Sequence, residues 1–325
     1  MINAETRAQI INLINKEVVP AVGCTEPMAV ALCAAKAAEV LGCRPQKVRA
    51  QLSANILKNA MGVGIPGTGM IGLPIAIALG TLIGKSEYQL EVIKDLTPET
   101  LEEGKAFIKE QRITILRKSN IEEKLYIEVE SSTETSTATV IISCAHTNIV
   151  YVEKDGNVLL DNRTTRSESC EQKDISLDLK LVYDFATTAP VGEIDFILKA
   201  KDYNLKAAED SLKGNYGHCL GKTMDRPLSH GIFGDSIYSH IIAKTASACD
   251  ARMGGAMIPV MSNSGSGNQG ICATNPVVVF ALENKNTEEE LVRALILSHL
   301  TAIYIKQSLG TLSALCGSVV ASIGS

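Results

Sequence analysis

The sequence predicts an α+β fold: a mainly helical core domain built from both chain ends, residues 1–85 and 176–325, with a small α+β domain, residues 86–175, inserted between them. Three observations carry this expectation. Apolar residues recur at helical spacing towards both ends, as at Ile10, Leu13, Ile14 and Val18. β-Branched or alternating runs crowd the middle of the chain. Composition changes abruptly at Lys85, where a long uncharged stretch gives way to acids and lysines.

The elements follow in order. A first helix closes at Pro20, and Pro27 suits the first turn of a second, running to about Leu41. "KVRAQLSANILKNA" is read as including a short strand, followed by a glycine-rich loop from Gly62 to Gly72 and the apolar helix "LPIAIALGTLIG". "TPETLEEGKAFIKEQ" offers Thr97 as N-cap, Pro98 at the first helical position and acids in the first turn. "RITILRK", "KLYIEVES", "STATVIISCAHT" and "IVYVEKDGNVLLDN" read as strands, with "KDGN" a hairpin turn. After the polar connection "RTTRSESCEQKD", helices are expected over Val191–Leu212, Ile232–Met253 and Glu288–Leu309.

Composition excludes several functions. Of 325 residues, 46% are apolar and 21% charged, so the chain can bury a core and is not disordered. A net charge of -5, with no basic cluster and no Trp, offers nucleic acid neither an electrostatic footprint nor a stacking platform. The N-terminus lacks a secretory pattern, so a cytoplasmic location is expected. Residues 60–84 are uncharged and long enough to span a bilayer, but Pro66, Pro74 and several glycines interrupt them; they read as a buried loop and helix.

Nine cysteines in such a chain are not a disulfide framework, and no pair has CxxC spacing. Most read as small buried hydrophobes, Cys33 among them. Three stand in unusual contexts: Cys24 in "PAVGCTEP", Cys272 in "NQGICATNP" and Cys316 in "ALCGSVVAS". Their neighbours Gly23, Gly270 and Gly317 would let backbone N–H groups approach the sulfurs of a metal cluster.

Other chemistries fit less well. "GVGIPGTG" lacks the Lys-Ser/Thr of a P-loop and the βαβ context of a dinucleotide site, although such a loop before a helix can hold a carboxylate. "SNSGSGN" is not a nucleophile elbow. His240 and His299 fall on helical patterns and His146 in the strand region, whereas His218 and His230 flank a polar loop and are acid–base candidates.

"PAVGCTEP", "NILKNAMGVGIPGTG", "ARMGGAMIPVMSNSGSGNQGI" and "LCGSVVAS", in this order, resemble the L-cysteine desulfidase family, itself related to the α chain of iron–sulfur L-serine dehydratases. The resemblance spans the whole chain and is weakest in the middle. It implies an oxygen-sensitive [4Fe-4S] enzyme that converts L-cysteine to pyruvate, ammonia and sulfide without pyridoxal phosphate. Cluster cysteines of the family map onto Cys24, Cys272 and Cys316, leaving one iron open as a Lewis acid for the substrate thiol. The base is not named; Lys58 and His230 are candidates by chemistry. Asn59, Gly67, Thr68, Ser262, Asn263, Ser264, Gly265, Ser266 and Asn268 are candidates to hold the substrate's carboxylate, since amides and hydroxyls do so without competing for metal. L-Serine as substrate, or a non-catalytic amino-acid-binding protein on the same fold, are the alternatives. The apolar helices are compatible with a homodimer. The chain stops at "SIGS" inside an apolar segment without a capping signal, whereas the related proteins continue further; a truncated chain would lack further cluster or active-site residues, and a chain ending here would have an incomplete helical core.

Overall fold

The computed structural model describes residues 2–83, 85–163, 174–310 and 315–325, without the side chains of Leu228 and His230. Contacts divide the chain into two compact units, Met1–Gly23 with Lys173–Ser325, and Cys24–Gln172. The fold class is α+β, as the sequence predicts.

The chain opens with α1 (Ala4–Glu17), capped by Asn3, whose side chain accepts from the Thr6 N–H at 2.7 Å, and β1 (Pro20–Ala21). The second unit begins with α2 (Thr25–Leu41), buried on nearly every side from Pro27 to Ala38, as expected of a helix this rich in Ala, Val and Leu. One side meets the sheet: the Cys33 thiol donates to the Val140 carbonyl at 3.3 Å, and burial pushes its pKa up. Another side meets α4 (Leu73–Ile83) at Gly80, where a Cβ would stand 2.3 Å from the Ala31 carbonyl oxygen. Between them run β2 (Lys47–Leu52) and α3 (Ala54–Ala60), the latter capped by Ser53. A 3-10 turn (Ser86–Glu91) leads to α5 (Pro98–Lys109), whose Thr97 and Thr100 form the cap and whose Pro98 begins the helix.

Then come β3 (Ile113–Arg117), β4 (Tyr126–Ser132), β5 (Thr137–Ser143), β6 (Ile149–Lys154) and β7 (Asn157–Asp161). They form one sheet in the order β3-β2-β4-β5-β6-β7. Only the β2–β3 pair is parallel; Ala50 lies beside Ile115 on one side and Val129 on the other. The β6–β7 hairpin turns on Asp155 and Gly156 at φ 51 and 81, the left-handed pair that "KDGN" encodes.

The boundary expected at residue 85 therefore falls inside the second unit. β2 is an internal strand and α2 packs on β4 and β5, so residues 24–83 join the sheet rather than the helical body. The composition change at Lys85 marks a change in exposure, not a domain edge.

The first unit resumes with α6 (Leu179–Thr188), α7 (Val191–Ile194), a 3-10 turn (Asp195–Ile197) and α8 (Leu198–Lys213). Next are α9 (Leu220–Met224), α10 (Pro227–Phe233), α11 (Ile237–Met253) and β8 (Val260–Met261), which pairs antiparallel with β1. α12 (Gly267–Glu283), α13 (Glu288–Leu309) and α14 (Gly317–Gly324) complete it. Its core gathers Ile10, Ile14, Phe185, Leu295 and Leu300 from both chain ends.

Two helices expected as continuous are broken. The segment from Val191 is interrupted at Asp195–Ile197, and that from Ile232 between Phe233 and Ile237. The second break has a local cause: Gly234 takes φ 79, and Ser236 with Ser239 forms a capping box that starts a new helix. Among the described residues, no helix is long and apolar enough to cross a membrane.

Candidate functional site

The segment "MSNSGSGNQGICATNPV" is a tight turn followed by helix. Asn263 and Ser266 exchange backbone hydrogen bonds at 3.1 and 3.0 Å, and the two residues between them, Ser264 and Gly265, both have positive φ, 48 and 76. Ser266 then caps α12, accepting from the Gln269 N–H at 3.3 Å. Gly270 is needed for approach: a Cβ there would stand 2.0 Å from the Met261 carbonyl oxygen.

Beneath the turn lies a buried polar network. The Asn263 side-chain amide donates to His299 Nδ1 at 3.1 Å and to the His299 carbonyl at 3.2 Å; its oxygen accepts from Ser264 Oγ and from Gln269 Nε2. His299 Nε2 meets Thr274 Oγ1 at 3.1 Å, and Thr274 donates onward to the Gly270 carbonyl. Burial depresses the His299 pKa to about 4, so the ring is neutral and its Nδ1 is free to accept. Asn204 ties β8 to α12: its amide accepts from Met261 N–H at 2.8 Å and donates to Met261 O, Gly270 O and Thr274 Oγ1.

The expected site residues thus have different placements. Ser262 donates its hydroxyl to the Val19 carbonyl at 2.6 Å, and Asn263 is completely buried, so both hold the turn together. Gly265 is exposed, and Ser264, Ser266 and Asn268 are half-buried on the same turn and helix start.

Cys272 and Cys316 are brought to neighbouring places. Cys272 sits in the second turn of α12; Cys316 is exposed at the N-cap of α14. The two helix starts touch at Gly317, where a Cβ would stand 2.9 Å from Ser266 Oγ and 3.1 Å from Gln269 Oε1. The Cys249 thiol of α11 donates to the Cys272 sulfur and, against burial, lowers the Cys272 pKa to about 7; the Ser318 hydroxyl adds to this. Cys249 accordingly keeps its proton, its pKa raised by that same contact and by burial. Pro276 lacks the N–H that would bond the Cys272 carbonyl within the helix. Cys249 and Ser318 were not singled out from the sequence; the i, i+3 spacing of Cys249 and Arg252 before the glycine-rich segment was the available signal.

In the second unit, Cys24 is buried at the N-cap of α2. Two residues on, Glu26 accepts from Thr25 Oγ1 at 3.2 Å and from Asn59 Nδ2 at 3.3 Å. His146, which the sequence placed only in the strand region, belongs to this set: burial lowers its pKa, the Glu26 carboxylate opposes that, and its Nε2 has no partner among the described residues. Lys58 is exposed in the last turn of α3. The glycine loop closes on itself, Ile65 N–H to Met70 O at 2.9 Å and Gly72 N–H to Val63 O at 2.8 Å. Thr68 serves that closure, donating to Ile65 O and accepting from Met70 N–H, while Gly67 is exposed at φ 75. His230 lies in α10, and its side chain is outside the described residues.

The three cysteines mapped by resemblance suit thiolate ligation in their chemistry: none is in a disulfide, and Cys24 and Cys316 stand at helix N-caps, where N–H dipoles favour a thiolate, with Cys272 one turn into α12. Cys24 belongs to the second unit, Cys272 and Cys316 to the first. Among the described residues, no three His, Cys, Asp or Glu side chains gather as a metal-holding group.

The serine dehydratase alpha chain family matches residues 87–325. A UPF0597 protein of Bacteroides thetaiotaomicron is 63% identical over 325 residues, covering 100% of this chain and 76% of the relative. One of Phocaeicola vulgatus is 64% identical over 326 residues with the same coverage, and one of Shewanella halifaxensis is 43% identical, covering 97% of this chain and 74% of the relative. With most of its length matched and identities this high, the chain belongs to the serine dehydratase alpha chain family.

Proposed function

We propose that the chain is a lyase that eliminates sulfide from L-cysteine, yielding pyruvate, ammonia and sulfide, with Cys24, Cys272 and Cys316 as ligands of a [4Fe-4S] cluster. The observation that supports this reading is the packing of the α12 and α14 starts, which sets Cys316 next to the turn and first helical residues that Cys272 follows. When bound, the cluster supplies a Lewis-acidic iron for the leaving sulfur.

The chain's own groups do the rest. Ser264, Gly265, Ser266 and Asn268 offer hydroxyl, amide and N–H donors for the substrate's carboxylate, with Ser262 and Asn263 fixing the turn that presents them. Asn59 and Gly67 are proposed as the groups that complete the grip, with Thr68 holding the loop that carries Gly67. A base, Lys58 or His230, takes the α-proton; the Cα–H electrons form the Cα=Cβ bond, and the Cβ–S electrons leave with sulfide. The aminoacrylate tautomerises to the imine, which water hydrolyses to pyruvate and ammonia. L-Serine, with hydroxide as the leaving group, is the second reading, and the family match favours it at the level of reaction class.

Anaerobic purification with cluster reconstitution tests the proposal. A charge-transfer spectrum and sulfide release from L-cysteine, both lost in Cys272→Ser, are expected. Pyruvate formation from L-serine alone would shift the assignment to serine dehydratase. A colourless protein that binds amino acids without turnover would overturn the lyase reading in favour of a binding protein.

A further inference from the structure

Arg252, in the last turn of α11, is 95% buried and pairs with no carboxylate among the described residues. Its Nη1 donates to Asn268 Oδ1 at 3.1 Å and to the Met253 sulfur at 3.7 Å; its Nε is buried with no acceptor. The guanidinium lies on the start of α12: a Cβ at Gly267, the first residue of that helix, would stand 2.1 Å from Nε and 2.9 Å from Cζ. Burying a guanidinium without a carboxylate partner is costly, and a bound anion would compensate it.

The same spot carries further unsatisfied donors. The first N–H groups of a helix have no partner within it. Ser266 Oγ satisfies Gln269, and the Gly267 and Asn268 N–H groups have no acceptor among the described residues. Two backbone N–H groups and the Arg252 guanidinium therefore lie together at the positive end of a 17-residue helix. A planar, singly charged anion with two acceptor oxygens matches the paired donors of a guanidinium fork better than a spherical ion does.

We propose that Arg252 and the first turn of α12 form the anchor for the α-carboxylate of an amino-acid ligand. The identity of that ligand rests on the lyase reading; the anion site does not. Asn268, held by Nη1, sets the plane of the fork.

The probe is L-alanine, which carries the carboxylate but no leaving group, titrated calorimetrically into the anaerobically purified protein beside L-alaninamide. Wild type is expected to bind L-alanine and not the amide. Arg252→Gln should weaken binding at least tenfold, about what one charge-assisted contact contributes. Asn268→Asp places a carboxylate where Nη1 already points; it should abolish binding while the unfolding temperature holds or rises, which separates ligand loss from misfolding. The inference is overturned if wild type fails to bind L-alanine, if it binds the amide equally, or if both variants bind as wild type does. Turnover separates it from the lyase reading. Sulfide release with an unchanged KM in Arg252→Gln overturns the anchor alone; Arg252-dependent L-alanine binding without sulfide release upholds the anchor and overturns the lyase.

Discussion

The Asn263 amide donates to His299 Nδ1 across 3.1 Å, and neither side chain is exposed. The bond needs an unprotonated Nδ1, so the turn that carries Ser264, Gly265 and Ser266 is held by a neutral histidine. Burial holds the His299 pKa at about 4, below that of an exposed histidine, so the folded chain binds fewer protons than the unfolded one. Its contribution is complete above about pH 6.5 and drains as pH falls towards about 4, by on the order of 3 kcal/mol. Urea unfolding across that range should show the loss, and His299→Gln, less stable at pH 7, should show a shallower profile.

Gly270→Ala is expected to cost more than about 3 kcal/mol, because its Cβ would meet the Met261 carbonyl at 2.0 Å and neither strand nor helix can yield cheaply. Gly265→Ala, at φ 76 but with open space around it, should cost only about 1 kcal/mol. Equilibrium unfolding of the pair distinguishes close packing from backbone strain.

Asn204→Ala removes the four hydrogen bonds that tie Met261, Gly270 and Thr274 together. Leaving those groups buried and unpaired should cost about 3 kcal/mol. Amide exchange at Met261, whose N–H donates to Asn204, should speed up by a corresponding factor. Unchanged exchange there would mean that backbone contacts alone hold the β8–α12 junction.

Cys24→Ser, Cys272→Ser and Cys316→Ser should each lower iron content after reconstitution, whereas Cys33→Ser should not. Cys33 is completely buried, its thiol committed to the Val140 carbonyl. Iron per chain, measured by absorption spectrometry, checks all four. Retention of full iron in Cys316→Ser would remove it from the ligand set.

Much of the local structure was legible. Thr97-Pro98 started a helix and "KDGN" turned a hairpin, because each signal acts within four residues of chain. The site was legible only in outline. Cys272, Cys316 and the "SNSGSGN" turn could be picked out, but the Asn263 and Thr68 side chains serve the backbone around them, and Cys249, Arg252 and His146 were given no role. A side chain's partner decides whether it is available to a ligand, and that partner lies elsewhere in the chain.

The sequence by itself determined the helical and strand periodicities, the caps and turns, and the identity of the unusual cysteines. Only the tertiary structure decided that β2 is an internal strand, that α2 belongs with the sheet, and that Arg252 is buried against Gly267 without a counter-charge. The physical reason is range. Capping and turn preferences are set by neighbours along the chain, whereas burial, pKa and hydrogen-bond satisfaction depend on contacts such as Asn204 with Thr274 and His299 with Asn263, which only the packed core creates.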